Sequence, residues 1–272
     1  MSKPPLVSVC IPSYNNEKFI ASTIESILLQ DFQDFEIIVC DDQSTDSTTS
    51  VVKSFTDNRI QLYINDKNLG ITGNWNRAIS LAQGKYIKLV CGDDILYPNC
   101  LQSQIDVLEN DLEETISLVA SVGCIINSSN KLILKRNGAF KTGIVPSRKA
   151  ITKNYLSGTN VLGEPMTGMF RKSILYKGLQ YNGSNPYMID LDFWFKLLKH
   201  GNLYYINQTQ AAFRISGKSI SATINYKQPI MFQMFIRKNI RINNIHRIYL
   251  IPAYINSTIK GVLRNLFFLF VK

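Results

Sequence analysis

Apolar residues in the first hundred positions follow two alternating rhythms. Continuous apolar runs at 6–11, 35–40, 60–64 and 85–91 are too short for helices and read as strands buried on both faces. Between them, 17–29 places Phe19, Ile20, Ile24, Ile27 and Leu28 at helical spacing, 51–55 follows a run of Ser, Thr and Asp suited to helix capping, and 74–82 predicts a third helix. Gly84 is expected to close that third helix as a left-handed cap. Strand alternating with helix four times predicts an α/β fold: βαβ units around a mostly parallel sheet covered on both faces. In such sheets ligands bind beyond the carboxyl ends of the strands. Those ends carry Pro12, Ser13 and Tyr14 after the first strand, Asp41 and Asp42 after the second, and Asp93 and Asp94 after the fourth.

The later pattern is less regular. Residues 118–126 and 131–134 predict a hairpin across 127–130, a helix is expected near 147–156, and 163–170 (GEPMTGMF) crosses from polar to apolar. Residues 192–200 predict a helix ending at Gly201. From about residue 227 basic and apolar residues mix, as in a pair of amphipathic helices that lie on a membrane surface or dock a partner.

Composition narrows the class. With 272 residues, 45% hydrophobic and 18% charged, the chain is a folded protein with one large domain and room for an extension. The best apolar stretch near the end, 266–271, is far short of a membrane span, and residues 1–5 do not resemble a signal peptide, so a cytoplasmic location is expected. Cys10, Cys40, Cys91, Cys100 and Cys124 show no CxxC spacing and predict neither a zinc site nor a disulfide framework. The net charge of +10 is unevenly placed, since no Asp or Glu follows Asp192. A one-signed surface attracts phosphates, whether of nucleic acid, anionic lipid or a diphosphate substrate. No nucleic-acid-binding motif accompanies it, which argues against that partner. The first strand leads into PSYNNE rather than GxGxxG, which excludes a dinucleotide oxidoreductase.

Asp93 and Asp94 are the most informative pair. Adjacent carboxylates repel by roughly 4 kcal/mol at a surface-like dielectric, and a hard divalent ion, Mg2+ or Mn2+, relieves that while leaving coordination positions for substrate phosphates. The competing reading is the acidic first turn of a helix.

Taken in order, VSVCIPSYNNEKFIASTIESILLQ, FEIIVCDDQSTDST, NLGITGNWNRAI, GKYIKLVCGDD, IDLDFWFKLLKHG and FRISGKSIS resemble a family 2 glycosyltransferase with the GT-A fold, a Rossmann-like nucleotide-diphosphosugar transferase. The resemblance implies a GT-A domain over 1–226, with a nucleotide-binding half at 1–98 and an acceptor half at 99–226, and a basic helical extension over 227–272. It implies inverting transfer of a sugar from a nucleotide-sugar, usually a UDP-sugar, to an acceptor hydroxyl, as in synthesis of bacterial surface polysaccharide, lipopolysaccharide or glycolipid. The acceptor would be a glycan or lipid-linked glycan, with peripheral contact to anionic membrane. Position by position, Pro12, Ser13 and Tyr14 would line the nucleotide pocket, Asp42 would bind the base, and Asn68, Gly70, Asn74 and Asn76 would lie near ribose and diphosphate. Asp93 and Asp94 would hold the metal, Asp93 also meeting the nucleotide, in a motif whose first acid is replaced by Cys91. Asp190 matches the general base, with Asp192 as its neighbour in the same motif. Glu164 is a candidate sugar or acceptor contact. Ser216 stands where relatives often place a histidine, and Arg214 and Lys218 would contact phosphate instead. A catalytically inactive nucleotide-sugar binder or membrane-associated scaffold is the alternative.

Overall fold

The structure is a computed structural model that describes residues 3–215 and 227–271. Ser216, Lys218 and most of the segment after Arg214 therefore lie outside the described residues. Strands β1 (Val7–Ser13), β2 (Phe35–Asp41), β3 (Ile60–Ile64) and β4 (Tyr86–Leu89) follow the predicted runs, with β1 paired parallel to both β2 and β4, and β2 parallel to β3. Helices α1 (Ile20–Leu28), α2 (Thr48–Lys53) and α3 (Gly70–Ser80) connect them. Every residue of β1, β2 and β4 is buried, as continuous apolar runs require.

The sheet continues through β5 (Ile95–Leu96), β6 (Ile116–Ile126), β7 (Leu132–Leu134), β8 (Gly143–Val145), β9 (Gly168–Arg171) and β10 (Asn202–Arg214), in the order β3-β2-β1-β4-β9-β6-β10-β5. Within the main path β9 runs against its neighbours β4 and β6, and the edge strand β5 runs against β10, so β6 and β10 point the same way as β1 to β4. The carboxyl ends of six strands thus share one edge, and β9 brings its amino end to it. The predicted hairpin is β6 with β7. α4 (Cys100–Asn110), α5 (Ser147–Ser157) and α6 (Ile189–Leu197) cover the sheet.

Buried cations brace this second half. Lys88, fully buried in β4, donates to Gln104 Oε1 at 2.8 Å and to the Gly168 carbonyl at 3.3 Å, tying the parallel half to β9. Arg171 donates to the carbonyls of Ile116 at 2.7 Å and Leu108 at 2.8 Å. Gly168 leaves room for Trp194, whose ring would lie 2.6 Å from an added Cβ, and the Trp194 indole donates to the Gly163 carbonyl at 3.0 Å. Those contacts seat α6 against the turn before β9.

Three local expectations change. α3 starts at Gly70 instead of 74, because Gly70, at φ +71°, makes the left-handed bend that opens the helix. Gly84 is no left-handed cap; its Cβ would sit 2.6 Å from the Ser8 backbone nitrogen, so glycine is required there by close approach. α6 starts at Ile189, which puts Asp190 and Asp192 in its first turn.

Beyond the sheet, α7 (Gln228–Asn239) and α8 (Leu250–Val271) fold back onto α5, burying Phe232, Phe235, Ile236 and Ala253 in the main core. α8 docks with its small residues. Ala253, Ser257 and Gly261 face inward, and a Cβ on Gly261 would lie 2.2 Å from Pro229 Cγ. Its large apolar side chains, Ile251, Ile255, Ile259, Val262, Leu263 and Leu266, face outward and are each roughly half exposed or more.

Candidate active site

A cavity of about 1190 Å³ opens along the carboxyl edge of the sheet. Pro12, Ser13, Tyr14, Asp42, Asn68, Gly70, Asn74, Asp93, Asp94, Glu164 and Asp190 all line it. Residues 178 positions apart in the chain, Pro12 and Asp190, therefore face one space.

The wall built from the first three strand ends is locked by amides. Asn74 donates to the Cys40 carbonyl at 2.9 Å and the Ser13 carbonyl at 3.3 Å, holding the ends of β1 and β2 together. Asn65 bridges Asn74 Oδ1 at 3.0 Å and Asp42 Oδ1 at 2.8 Å. Asp42 Oδ1 also accepts from the Leu69 backbone at 2.7 Å, and Asn68 donates to the Asp42 carbonyl at 2.9 Å. The two acids of this strand end divide their work: Asp41 accepts from the Ser44 backbone at 2.9 Å and shapes the turn, while Asp42 lines the cavity. After β1, Asn15 (φ 53°) and the Ser44 hydroxyl bond across the two loops at 2.9 Å. Tyr14 is half exposed at the mouth.

At the fourth strand end, α4 begins only at Cys100 and has no acid in its first turn, which removes the helix-start reading of Asp93 and Asp94. Gly92 lets this loop press against Asn16, whose Oδ1 would lie 2.8 Å from an added Cβ. Arg214 is fully buried and clamps the turn from behind. Its Nε donates to the Asp93 carbonyl at 2.7 Å, its Nη1 to the Asn127 carbonyl at 3.0 Å, its backbone nitrogen to Asp94 Oδ1 at 3.1 Å, and its guanidinium lies over the Phe19 ring. It does not line the cavity, so the expectation of a phosphate contact gives way to a bracing role: Nε and Nη1 are taken by carbonyls and by Asn130 Oδ1 at 2.6 Å, and the buried Nη2 has no hydrogen-bond partner. Asp94 Oδ2 is buried without a hydrogen-bond partner. Burial, opposed by Arg214, pushes the Asp93 carboxyl up, and burial together with the Asp93 charge pushes Asp94 up further. Among the described residues no third His, Cys, Asp or Glu joins them as a metal-binding group.

Asp190 enters from α6. Its Oδ2 accepts from Asn160 Nδ2 at 2.9 Å and its Oδ1 from the Leu191 backbone at 2.8 Å. Burial, reinforced by the nearby Glu164 carboxylate and opposed by those two hydrogen bonds, raises it to about 7. Asp192 points elsewhere: it pairs with Lys196 at 2.7 Å one turn along the helix and does not line the cavity. Asn76 is also redirected, exchanging hydrogen bonds with the Tyr181 backbone at 2.8 and 3.1 Å. The Cys91 thiol is pushed up by burial and by Asp94, Asp93, Asp190 and Glu164, which surround it with negative charge and keep it neutral.

Residues that sequence reasoning missed complete the far wall. Arg136, just past β7, pairs with Glu164 at 2.6 Å, and Trp75, Lys153, Asn160, Tyr187, Leu263 and Arg264 also line the space. A charged residue on the docked side of an otherwise small-faced helix was the available signal for Arg264.

Comparison with known proteins gives the family. A profile of Glycosyl transferase family 2 matches residues 8–178. The chain is 31% identical over 259 residues to an Escherichia coli protein, UDP-Glc:alpha-D-GlcNAc-diphosphoundecaprenol beta-1,3-glucosyltransferase WfgD, covering 94% of each. It is 30% identical to the putative glycosyltransferase EpsE of Bacillus subtilis, over 79% of this chain and 74% of that one. Among solved structures, S. aureus TarS 1-349 in complex with UDP-GlcNAc superposes with a TM-score of 0.70 at 19% identity, covering 90% of this chain and 69% of that one. Mannosyltransferase PcManGT from Pyrobaculum calidifontis, in complex with GDP-Man and Mn2+, gives 0.65 at 16% identity, covering 96% and 74%. The chain belongs to Glycosyl transferase family 2 and is a glycosyltransferase of the GT-A fold.

Proposed function

We propose that this protein transfers a hexosyl or N-acetylhexosaminyl group from a UDP-sugar to a hydroxyl of a lipid-linked glycan, with inversion, in surface polysaccharide synthesis at the inner face of the membrane. The observation that carries the reading is the meeting of Asp42, Asp93, Asp94 and Asp190 in one cavity of a family 2 chain. Asp42, with its carboxylate fixed by Asn65 and Leu69, is suited to accept the imide N–H of uracil, and a preset acceptor discriminates against bases without that donor. Pro12, Ser13 and Tyr14 line the nucleotide side, and Asn68 and Gly70 shape the loop beside ribose and diphosphate, with Asn74 holding the two strand ends that present them.

Asp190 is the general base. A carboxyl raised to about 7 is near the optimum for taking a proton at neutral pH, and Asn160 orients it. The acceptor oxygen attacks the anomeric carbon, its proton passes to Asp190, and the carbon–oxygen bond to UDP breaks on the opposite face. One displacement inverts the centre. Asp192 is committed to Lys196 and takes no part.

Asp93 and Asp94 fit a divalent cation, Mn2+ or Mg2+: two adjacent carboxylates, one with an orphaned buried oxygen, are stabilised by a positive charge, and the relative that binds GDP-Man does so with Mn2+. Such an ion supplies Lewis-acid stabilisation of the departing diphosphate.

The acceptor class is supported by WfgD, whose substrate is diphosphoundecaprenol-linked, and by α8. No helix among the described residues is long and apolar enough to cross a membrane. An outward row of Ile251, Ile255, Ile259, Val262 and Leu266, flanked by Arg247 and Lys260 in a region without any carboxylate, instead matches a helix lying on anionic lipid. The test is a screen of UDP-sugars for transfer to a lipid-linked acceptor with and without manganese. The expected result is product from wild type and far less from Asp190→Asn; failure of every UDP-sugar would overturn the donor assignment.

A further inference from the structure

The far wall of the cavity concentrates positive charge where catalysis at Asp190 does not need it. Arg136 and Glu164 neutralise each other at 2.6 Å, but Arg264 adds a second guanidinium beside them. Arg264 reaches in from α8 and donates to Tyr187 Oη, Gln228 Oε1 and, at 3.2 Å, Thr159 Oγ1, all neutral partners. Among the described residues it forms no ion pair with a carboxylate. Burial and the Arg136 charge lower it to about 10, so this arrangement is held against a desolvation and repulsion cost. Lys153, exposed on α5, lines the same wall, and Lys260 stands close enough to be lowered by it. Arg136, Arg264 and Lys153 thus face the open cavity against Glu164, which Arg136 pairs, and Asp190, which burial pushes towards its neutral form, and this excess of positive charge is suited to an anion. Guanidinium forks bind phosphate oxygens in pairs, more strongly where water is excluded.

The neighbouring surface indicates what carries that anion. Leu263 lines the cavity beside Arg264 and is 59% exposed, in register with the outward row of α8. The exposed apolar row of α8 therefore reaches the cavity rim at Leu263, and charge begins one residue further along.

We propose that Arg264 and Arg136, with Lys153 at the rim, form the subsite for the diphosphate of a polyprenyl-diphosphate-linked acceptor, whose hydrocarbon chain leaves over Leu263. This rests on the acceptor class given above. The subsite places the acceptor sugar between the cationic wall and Asp190, and the exposed row of α8 sets the depth at which the lipid presents its head. Arg264 thereby couples membrane seating to substrate capture, since one helix supplies both.

The test uses the full chain with its donor half saturated by UDP and manganese, and measures binding of farnesyl diphosphate, farnesol and inorganic pyrophosphate by calorimetry. Farnesyl diphosphate is expected to bind, pyrophosphate more weakly, and farnesol not measurably. Arg264→Gln and Arg136→Gln should each weaken farnesyl diphosphate by roughly 10- to 100-fold, the worth of a charge-assisted hydrogen-bond pair, with UDP affinity unchanged. Arg264 also fastens α8, so Lys153→Gln, on an exposed side chain, provides a variant that leaves the fold alone and should weaken binding by a few-fold. Equal affinity of all variants, or a loss of UDP binding to the same degree, overturns the subsite. Wild type that binds UDP but no farnesyl diphosphate sinks this inference alone, whereas wild type that binds no UDP sinks the donor reading as well.

Discussion

On one side of the cavity Ser13, Asp42, Asn68 and Asn74 come from consecutive βα units within the first eighty residues, and their amides and carbonyls bind one another before any ligand arrives. Across from them Arg136, Glu164, Asp190 and Arg264 come from a hairpin, a turn, and two helices separated by most of the remaining chain, and they carry charge that is only partly balanced. The first wall is a rigid mould suited to a constant nucleotide. The second has its energetic cost stored in buried, perturbed groups, which suits a reacting bond and a variable acceptor.

The sharpest way to break that contrast is at Asp190. Asp190→Asn is expected to reduce kcat by about 10²- to 10⁴-fold with little change in donor KM, in a steady-state assay. A donor KM that rises in step with the loss would instead place Asp190 among the nucleotide contacts. Next in size is Asp94→Ala, expected to cost about 10²- to 10³-fold. Chelation should cripple wild type and leave the Asp94→Ala residue of activity almost unchanged, because both remove the same contribution; independent, multiplying losses would show that Asp94 does not act through a metal.

The pH profile tests the charged wall more finely. Activity should rise with pH through about 7 as Asp190 loses its proton. Asn160→Ala removes a hydrogen bond that favours the carboxylate and should move the profile to higher pH, whereas Glu164→Gln removes a repelling charge and should move it lower. Shifts in the same direction would sever the link to Asp190. Stability carries the same signature with a defined sign. A carboxyl raised by folding binds more protons in the folded than in the unfolded chain between its ordinary value and about 7, so it destabilises the protein as pH rises through that window. Asp190→Asn should therefore melt above wild type at pH 8, with the difference shrinking towards pH 4 in paired thermal scans.

The smallest expected effect lies outside the cavity. Gly261→Leu forces a side chain into Pro229 and should destabilise by about 1–3 kcal/mol, lowering Tm and loosening α8 from its docked position. Ile255→Ser, on the outward face, should leave Tm within the usual surface range and weaken binding to anionic vesicles. Vesicle binding unaffected by Ile255→Ser would remove the lipid-facing role of that row.

The sequence was a good guide wherever an element's environment is uniform along its length. Continuous apolar runs produced β1 to β4 within a residue or two, and their acidic ends fell on the right edge because strand direction in a βαβ unit is dictated by its crossover. It was a poor guide to partners. Asn76 reads as one more polar residue near the diphosphate, yet its amide is spent on the Tyr181 backbone; Arg214 reads as a phosphate ligand, yet carbonyls of Asp93 and Asn127 take it. Asp190 matches the general base in IDLDFW with Asp192 as its neighbour, and the helical turn sends the first to Asn160 and the second to Lys196.

By itself, then, the order of residues determined the strand rhythm, the polar edge and the absence of acid after Asp192, because hydrophobic burial and local backbone preference act over a few neighbouring positions. Only the tertiary structure decided that α8 turns its small residues inward and its isoleucines outward, and that Arg264 reaches a cavity begun by Pro12. Those outcomes depend on which surfaces meet at a distance of a few ångströms, and a periodic pattern specifies a face without specifying what that face will touch.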